Sequence, residues 1–330
     1  MTSSGQVRVK TILSGAALML GVLLCAAPLY AQPASTGAAP GAEDPAGVHV
    51  TDGVARFVHF YDDARAKRLS PDERWALWQK EYGLSATPPT PFGQTLARKQ
   101  LDAAWDRYAA LVPRLPALSQ SAQALAQPTL GAVAQLFGDD DPTLTLHLIL
   151  FVGQFDNNAF AGPMVRGAPT VYLPVEMADV DVAMAHEFAH AVHKHIGRLA
   201  NGYASPLGET LLMEGVAMRA AQRLRPGRDA AAYTPATVYG PTTWLPRCEA
   251  SADAILKGLA PVLAAADAET TAKFTYGTGT TGLNDELYCA GWVLVGDLLE
   301  HGYSFRQLVR VPEADMPAFA ADAIAKRRGP

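Results

Sequence analysis

The sequence predicts an α+β fold that is mostly helical, with a small sheet packed against one central helix. Three patterns predict it. Apolar residues recur at helical spacing between about Asp52 and Phe137. Two short runs rich in strand-forming residues follow, over 143–152 and 170–175. Residues 182–196 then contain no glycine or proline, which predicts a helix of about four turns.

The first 31 residues have the order of an export signal. Arg8 and Lys10 precede an apolar run from about Ile12 to Leu24, and small residues lead to Ala31. We expect a signal peptide over 1–31, cleaved after Ala31, and a mature protein that is exported to the periplasm or secreted. An uncleaved anchor is the alternative, because the apolar run is near the lower limit for spanning a bilayer. After cleavage we expect no stable membrane association.

The mature chain is predicted to begin with a flexible linker. Residues 32–50 are rich in alanine, proline and glycine, and one domain is expected over 51–330. We divide this domain into a helical part to about 140, a core over about 141–225, and a C-terminal helical part. Without the leader, 25 Lys+Arg face 32 Asp+Glu, a net charge near −7. This acidity argues against nucleic acid as a partner.

The elements of the first half have local signals. Ser70-Pro71-Asp72-Glu73 is a capping box with proline in the first turn, which predicts a helix start. Residues 94–111 carry apolar side chains at helical spacing. Pro174 predicts that the strand over 170–175 lies at a sheet edge. Residues 153–167 contain several glycines and are predicted to form a loop between the two strands.

The predicted helix over 182–196 contains the motif His186-Glu187-Phe188-Ala189-His190. Two histidines four residues apart lie on one helix face, so both imidazoles can reach one metal ion. Glu187 projects beside that ion, where it can deprotonate a bound water. The motif predicts a Zn²⁺ site with His186 and His190 as ligands and Glu187 as the catalytic residue.

A longer version of this motif has glycine at position 193 and histidine at position 196. The chain has His193 and Ile196 there, so the metzincin pattern is excluded. We therefore expect His193 and His195 to lie outside the set of metal ligands.

A catalytic zinc site needs a third protein ligand. A second helix is predicted from about Gly208 to Leu224, and Glu214 lies among the apolar residues of its inner face. A carboxylate facing the core is costly unless it is paired or binds a metal. We therefore predict Glu214 as the third ligand. Glu209 is the reserve candidate, because acids are common near a helix start.

These motifs resemble those of the gluzincin metallopeptidases, in which HExxH is followed by a glutamate ligand on the next helix. Glu214-Gly215-Val216-Ala217 matches the EGxA pattern around that ligand. The closest likeness is to bacterial predicted zinc-dependent proteases. These share a late apolar helix, here 288–299, and an early segment, here Asp52, Arg56, Phe57, Tyr61 and Asp62. Thermolysin-like enzymes place an aspartate four residues after the glutamate ligand, where this chain has Met218.

The resemblance implies a zincin-like fold and hydrolysis of a peptide bond, with Glu187 as general base. The expected substrate is a peptide or an unfolded protein, and cleavage within the chain or at its ends both remain open. Tyr288, His301 and Tyr303 are candidate donors to an oxyanion. The alternative function is a non-catalytic periplasmic zinc-binding or chaperone-like protein. The presence of Glu187 favours the enzyme, because metal binding alone needs no base between the two histidines.

Two cysteines remain after cleavage of the predicted leader, Cys248 and Cys289. In an oxidising compartment an even pair predicts one disulfide bond. Neither cysteine belongs to a CxxC motif, which argues against a metal-binding pair.

Overall fold

A computed structural model describes residues 46–165, 168–199, 205–235 and 241–327. The predicted leader, its cleavage site after Ala31, and most of the predicted linker lie outside these ranges. The fold is α+β and predominantly helical, as the sequence predicts.

In the described part of the chain, four strands form one mixed sheet. They are β1 (Gly47–Asp52), β2 (Thr145–Phe151), β3 (Phe160–Val165) and β4 (Ala168–Pro174), in the order β1-β2-β4-β3. β1, β2 and β4 run parallel, whereas β3 is antiparallel to β4. Every residue of β4 is buried, and β2 buries Leu146, Leu148 and Leu150.

The prediction that the strand containing Pro174 lies at the edge is wrong. β4 lies between β2 and β3, and the two edge strands of the sheet are β1 and β3. The Val175 N–H donates to Phe151 in β2, so the nitrogen of Pro174 points toward β3. The pairing of β3 with β4 ends at Tyr172, before Pro174. The missing N–H of Pro174 therefore removes no hydrogen bond from the sheet.

Two strands escape the sequence patterns. β3 lies inside the predicted loop over 153–167, because its glycine and proline weaken the strand signal. β1 takes up residues 47–50, the last four positions of the predicted linker. Its pairing with β2 lies almost 100 residues away along the chain. Phe160 of β3 stacks on Tyr172 of β4 with ring centroids 4.7 Å apart, which anchors the edge strand.

Between Ala46 and the start of β2, the described residues form five α-helices, as the helical periodicity predicts. They are α1 (Val54–Ala66), α2 (Pro71–Glu81), α3 (Pro91–Ala104), α4 (Tyr108–Leu111) and α5 (Leu115–Phe137). The capping box is confirmed: Ser70 accepts from the Glu73 N–H, and Glu73 accepts from the Ser70 N–H. The early segment Asp52 to Asp62 has structural roles. Asp52 accepts from the Val54 N–H, and Arg56 donates to the carbonyl oxygens of Glu81 and Tyr82.

The described residues that follow the sheet form seven α-helices. They are α6 (Val180–Gly197), α7 (Leu207–Leu224), α8 (Pro241–Leu259), α9 (Ala268–Thr275), α10 (Glu286–Glu300), α11 (Phe305–Leu308) and α12 (Met316–Arg327). α6 packs on β4, β3 and α5, and α7 packs between α6 and α10. The predicted packing of the sheet against the HExxH helix is therefore present. Within the described ranges, no helix has the length and apolarity required to cross a membrane.

The disulfide joins α8 to α10. Cys248 and Cys289 are fully buried, and their Cα atoms are 5.6 Å apart. The cysteine count predicts this bond, and the two cysteines are 41 residues apart in the chain.

We expect Cys289→Ser, or reduction, to lower the free energy of unfolding by about 2–5 kcal/mol, because the unfolded chain regains the entropy of an open loop. Neither cysteine belongs to the candidate metal ligands, so metal affinity should change by less than threefold. Calorimetry measures the stability, and competitive chelation measures the metal affinity. Cys248→Ser breaks the same bond from its other end and should give the same two results. A loss of metal affinity without loss of stability would contradict this role.

A half-buried carboxylate closes the turn that follows β2. Glu176 accepts hydrogen bonds from the N–H groups of Gly153 and Phe155. Tyr108 donates to the carbonyl oxygen of Gly153 on the same turn. Burial raises the pKa of Glu176 to about 7, and the charge of Asp156 adds to this effect. The fold therefore favours the protonated carboxyl over the carboxylate.

This raised pKa makes stability depend on pH. The unfolded chain ionises Glu176 near the ordinary value of 4.5, so stability falls as the pH rises from there through about 7. Glu176→Gln removes the charge and keeps one carbonyl oxygen as an acceptor, as the protonated carboxyl does. We expect it to raise the free energy of unfolding at pH 8 by roughly 1–3 kcal/mol and to change it little at pH 4. Urea denaturation at both values, with exposed Glu249→Gln as control, tests this; equal effects at the two pH values would refute it.

Candidate metal centre

The HExxH motif lies in the middle of α6. Val180–Gly197 is helical, so His186 and His190 lie one turn apart on the same face. The start of α6 is fixed by Arg228, which pairs with Asp179 at 3.0 Å and Asp181 at 2.8 Å. Acids in this position also interact favourably with the helix dipole.

Glu214 reaches the two histidines from α7. Its neighbour Gly215 lies against α10, where an added Cβ atom would be 2.4 Å from the carbonyl oxygen of Gly291. A Cβ atom on Gly291 would likewise be 2.7 Å from the carbonyl oxygen of Leu211. Only glycine fits such a backbone contact. The glycine after the acid therefore lets α7 lie close to α10 while Glu214 faces α6.

The three predicted ligands meet at one point. The His186 and His190 Nε2 atoms are 3.0 Å apart, and the Glu214 Oε2 atom is 3.3 Å from the first and 3.4 Å from the second. The side chains are largely buried, with 21%, 10% and 17% of their surface exposed in the same order. Among the described residues this is the one cluster of three or more His, Cys, Asp or Glu side chains that can hold a metal ion.

The electrostatics of the cluster favour an anionic Glu214. Burial acts to raise its pKa, but the charges of His190 and His186 and their hydrogen bonds lower it well below the usual range. Burial acts to lower the pKa of His186, and the hydrogen bond to Glu214 together with the charges of Glu187 and Glu214 raises it. Each group thus stabilises the charged form of the other. A carboxylate with two imidazoles is a ligand set that suits a divalent metal ion.

Glu187 lies directly after the first ligand and is 8% exposed. Its negative charge raises the pKa of His186 and of Tyr288. Charges screened by salt interact over roughly 10 Å. The Glu187 carboxylate therefore lies near the cluster, but it is not one of the three residues that form it.

The other residues considered from the sequence lie elsewhere. Glu209 accepts a hydrogen bond from Ser205 and is outside the ligand cluster. His193 is 1% exposed and packs against the Phe137 ring; burial lowers its pKa to about 3, so it is neutral. His195 is 3.1 Å from Asp141.

Of the three candidate oxyanion donors, Tyr288 is the one on the part of α10 that contacts α7: it lies one turn before Gly291, which packs against Gly215, the neighbour of Glu214. Burial raises its pKa, and the charges of Glu214 and Glu187 raise it further. His301 contacts the carbonyl oxygen of Asp297 at the end of α10, and Tyr303 packs edge-on against Phe319. Distance along α10 therefore separates Tyr288 from the other two.

Sequence reasoning missed two residues near Tyr288, namely Tyr276 and Asp285. Burial raises the pKa of Tyr276, and the charges of Glu214 and Asp285 raise it further. Asp285 precedes α10 and is 2% exposed. The sequence gives no signal for either residue, because both lie at the ends of an irregular segment rich in glycine and threonine.

Comparison with known proteins finds no match: no family model, no curated protein and no solved structure is similar to this chain.

Proposed function

We propose that the chain is a zinc-dependent hydrolase of peptide bonds. The observation that carries the proposal is the meeting of His186, His190 and Glu214, with Glu187 adjacent on the same helix. The gluzincin resemblance of HExxH and EGxA agrees with this arrangement. A zincin-like architecture is part of the same proposal.

The spacing of the ligands supports zinc. Donors of a tetrahedral zinc site lie about 2.0–2.1 Å from the metal, which places them about 3.3 Å from one another. The three separations here, 3.0, 3.3 and 3.4 Å, are close to that value. Three protein ligands leave the fourth position open, as in catalytic sites. When bound, zinc lowers the pKa of a water molecule toward neutrality and polarises a carbonyl group.

Glu187 would act as the general base. Its carboxylate accepts a proton from the attacking water and returns it to the leaving amine. Its place beside the first ligand supports this role, and its low exposure favours strong electrostatic interaction with the reacting groups. Tyr288 would donate its hydroxyl hydrogen to the oxyanion. Burial and the charges of Glu214 and Glu187 raise the pKa of this hydroxyl, so it keeps its hydrogen.

The substrate would bind as an extended peptide along β3. This strand is one of the two edge strands of the sheet, and it packs on α6, the helix that holds both histidines. An edge strand offers unpaired backbone groups that can pair with a peptide. Met164 on β3 is 44% exposed, so an apolar side chain is available beside that backbone. The predicted leader and the disulfide support export of the enzyme.

The decisive experiment combines metal analysis with cleavage of an unbiased peptide library. We expect about one zinc per chain and cleavage that stops with a chelator and returns with zinc. Library products also distinguish internal from terminal cleavage. A protein that carries a full zinc complement but cleaves no peptide would contradict the enzyme and support the zinc-binding or chaperone-like alternative.

A further inference from the structure

Asp285 is a buried acid that the structure leaves unsatisfied. Its side chain is 2% exposed, and its Oδ2 atom has no hydrogen-bond partner. It occupies the position before α10, where an aspartate usually accepts from the first turn, but it makes no such bond. Its backbone is left-handed, with φ 59° and ψ 40°. Desolvation and backbone strain thus fall on the same residue.

The neighbouring acid serves as an internal comparison. Glu286 is also completely buried, but its two carboxyl oxygens accept from the N–H and hydroxyl groups of Thr280 and Thr281. Glu286 therefore organises the segment before α10. The Asp285 side chain makes no hydrogen bond within this segment. The structure of the segment therefore does not explain why a carboxyl group is buried at this position.

The position of Asp285 relates it to the candidate metal centre. Two tyrosines, Tyr276 and Tyr288, respond to the charges of both Asp285 and Glu214. The Tyr288 N–H donates to the backbone oxygen of Asp285, which fixes them one turn apart. α10 itself is held against α7 by the contact between Gly215 and Gly291. The N–H of Asp285 also donates to the backbone oxygen of Gly277, which follows Tyr276. Backbone hydrogen bonds therefore hold Asp285 near both tyrosines, at the start of the helix that packs against α7 and its Glu214.

A carboxylate oxygen without a donor, close to two tyrosine residues in the fold, is suited to a cation. Carboxylates form their strongest hydrogen bonds with ammonium and guanidinium groups, and tyrosine rings attract the same cations. Tyr276 is 56% exposed, so this segment meets the solvent. Desolvation raises the pKa of Asp285 to about 7, and a cation beside the carboxyl would favour its ionised form.

We propose that Asp285 is a specificity-determining residue that binds a positively charged group of the substrate, with Tyr276 and Tyr288 beside it. The inference rests on the proposed function, because it assigns a substrate class to that site. The cation is an ammonium or guanidinium group, supplied either by the free N-terminus of a peptide or by a lysine or arginine side chain.

The test uses zinc-loaded protein that carries Glu187→Gln, so that peptides bind without cleavage. The probes are nonapeptides with lysine or norleucine scanned through each position, each with a free or an acetylated N-terminus. We expect a cationic probe to bind at least about tenfold more tightly than its neutral counterpart. Lysine dependence indicates a side-chain subsite, and sensitivity to acetylation indicates recognition of the N-terminus.

Adding Asp285→Asn should reduce this preference to about onefold. Asparagine tolerates the left-handed conformation and is cheaper to bury, so the Tm should stay the same or rise. Glu300→Gln is the matched control, because it removes the same charge from the exposed end of α10 and should keep the preference.

Three results would overturn the proposal: equal or undetectable binding of the probe pairs, a preference that survives Asp285→Asn, or a Tm that falls by several degrees in that variant. The last would make Asp285 structural. Binding needs no turnover, so a failure of peptide cleavage by the wild type would refute the proposed function without deciding this point.

Discussion

Glu214→Ala is expected to strip the metal from the protein. The substitution removes one of the three candidate ligands and leaves two largely buried imidazoles without their carboxylate. Loss of groups that merely orient a ligand costs about 10–100-fold in metal affinity, so loss of the ligand itself should cost more than 100-fold. Competitive chelation and elemental analysis of the purified protein measure the change.

Glu209→Ala is the matched control for this variant. It removes an equal charge from the same helix, five residues earlier, at a carboxylate that bonds to Ser205 outside the cluster. It should keep its full metal content. Zinc should also raise the Tm of the wild type and of this control but not that of Glu214→Ala, because a ligand stabilises only the fold that binds it. Loss of metal in Glu209→Ala with retention in Glu214→Ala would reverse the assignment of the third ligand.

Glu187→Gln is expected to keep the metal and lose most of the hydrolysis. The amide has nearly the same shape as the carboxylate but does not accept a proton at neutral pH. General-base catalysis contributes typically ~10²–10⁴-fold, so kcat should fall by about that factor. Stopped assays on the best library peptide give kcat, and elemental analysis gives the metal content.

The comparison between wild type and this variant separates catalysis from metal binding. His190→Ala should lose both metal and activity, which provides the control for a damaged site. Equal rates for wild type and Glu187→Gln would exclude the general-base role. Loss of metal in Glu187→Gln would instead assign the carboxylate to the ligand set.

Local spacing explains what could be predicted. The α6 and α7 helices depend on residues within a few turns, and so does the placing of His186 and His190 on one face. The Ser70 capping box is equally local. The disulfide followed from a different argument, because two cysteines left in the mature chain allow one intramolecular pair.

Strand pairing explains what was missed in the sheet. β1 pairs with β2, which lies far along the chain. β3 has a weak strand signal of its own and pairs with β4. Pro174 is tolerated inside the sheet because β3 stops before it. Such facts depend on where neighbouring strands begin and end, which the proline itself does not encode.

Short-range spacing and residue counts are enough to predict the two helices, the types of candidate ligand and the single cysteine pair. The choice of Glu214 over Glu209 depends on tertiary packing, because the position of α7 between α6 and α10 sets which face of α7 meets His186. The same packing brings α10, with Asp285 and Tyr288 at its start, against the helix that carries Glu214. The two helices meet at the close contact between Gly215 and Gly291, more than 70 residues apart in the chain.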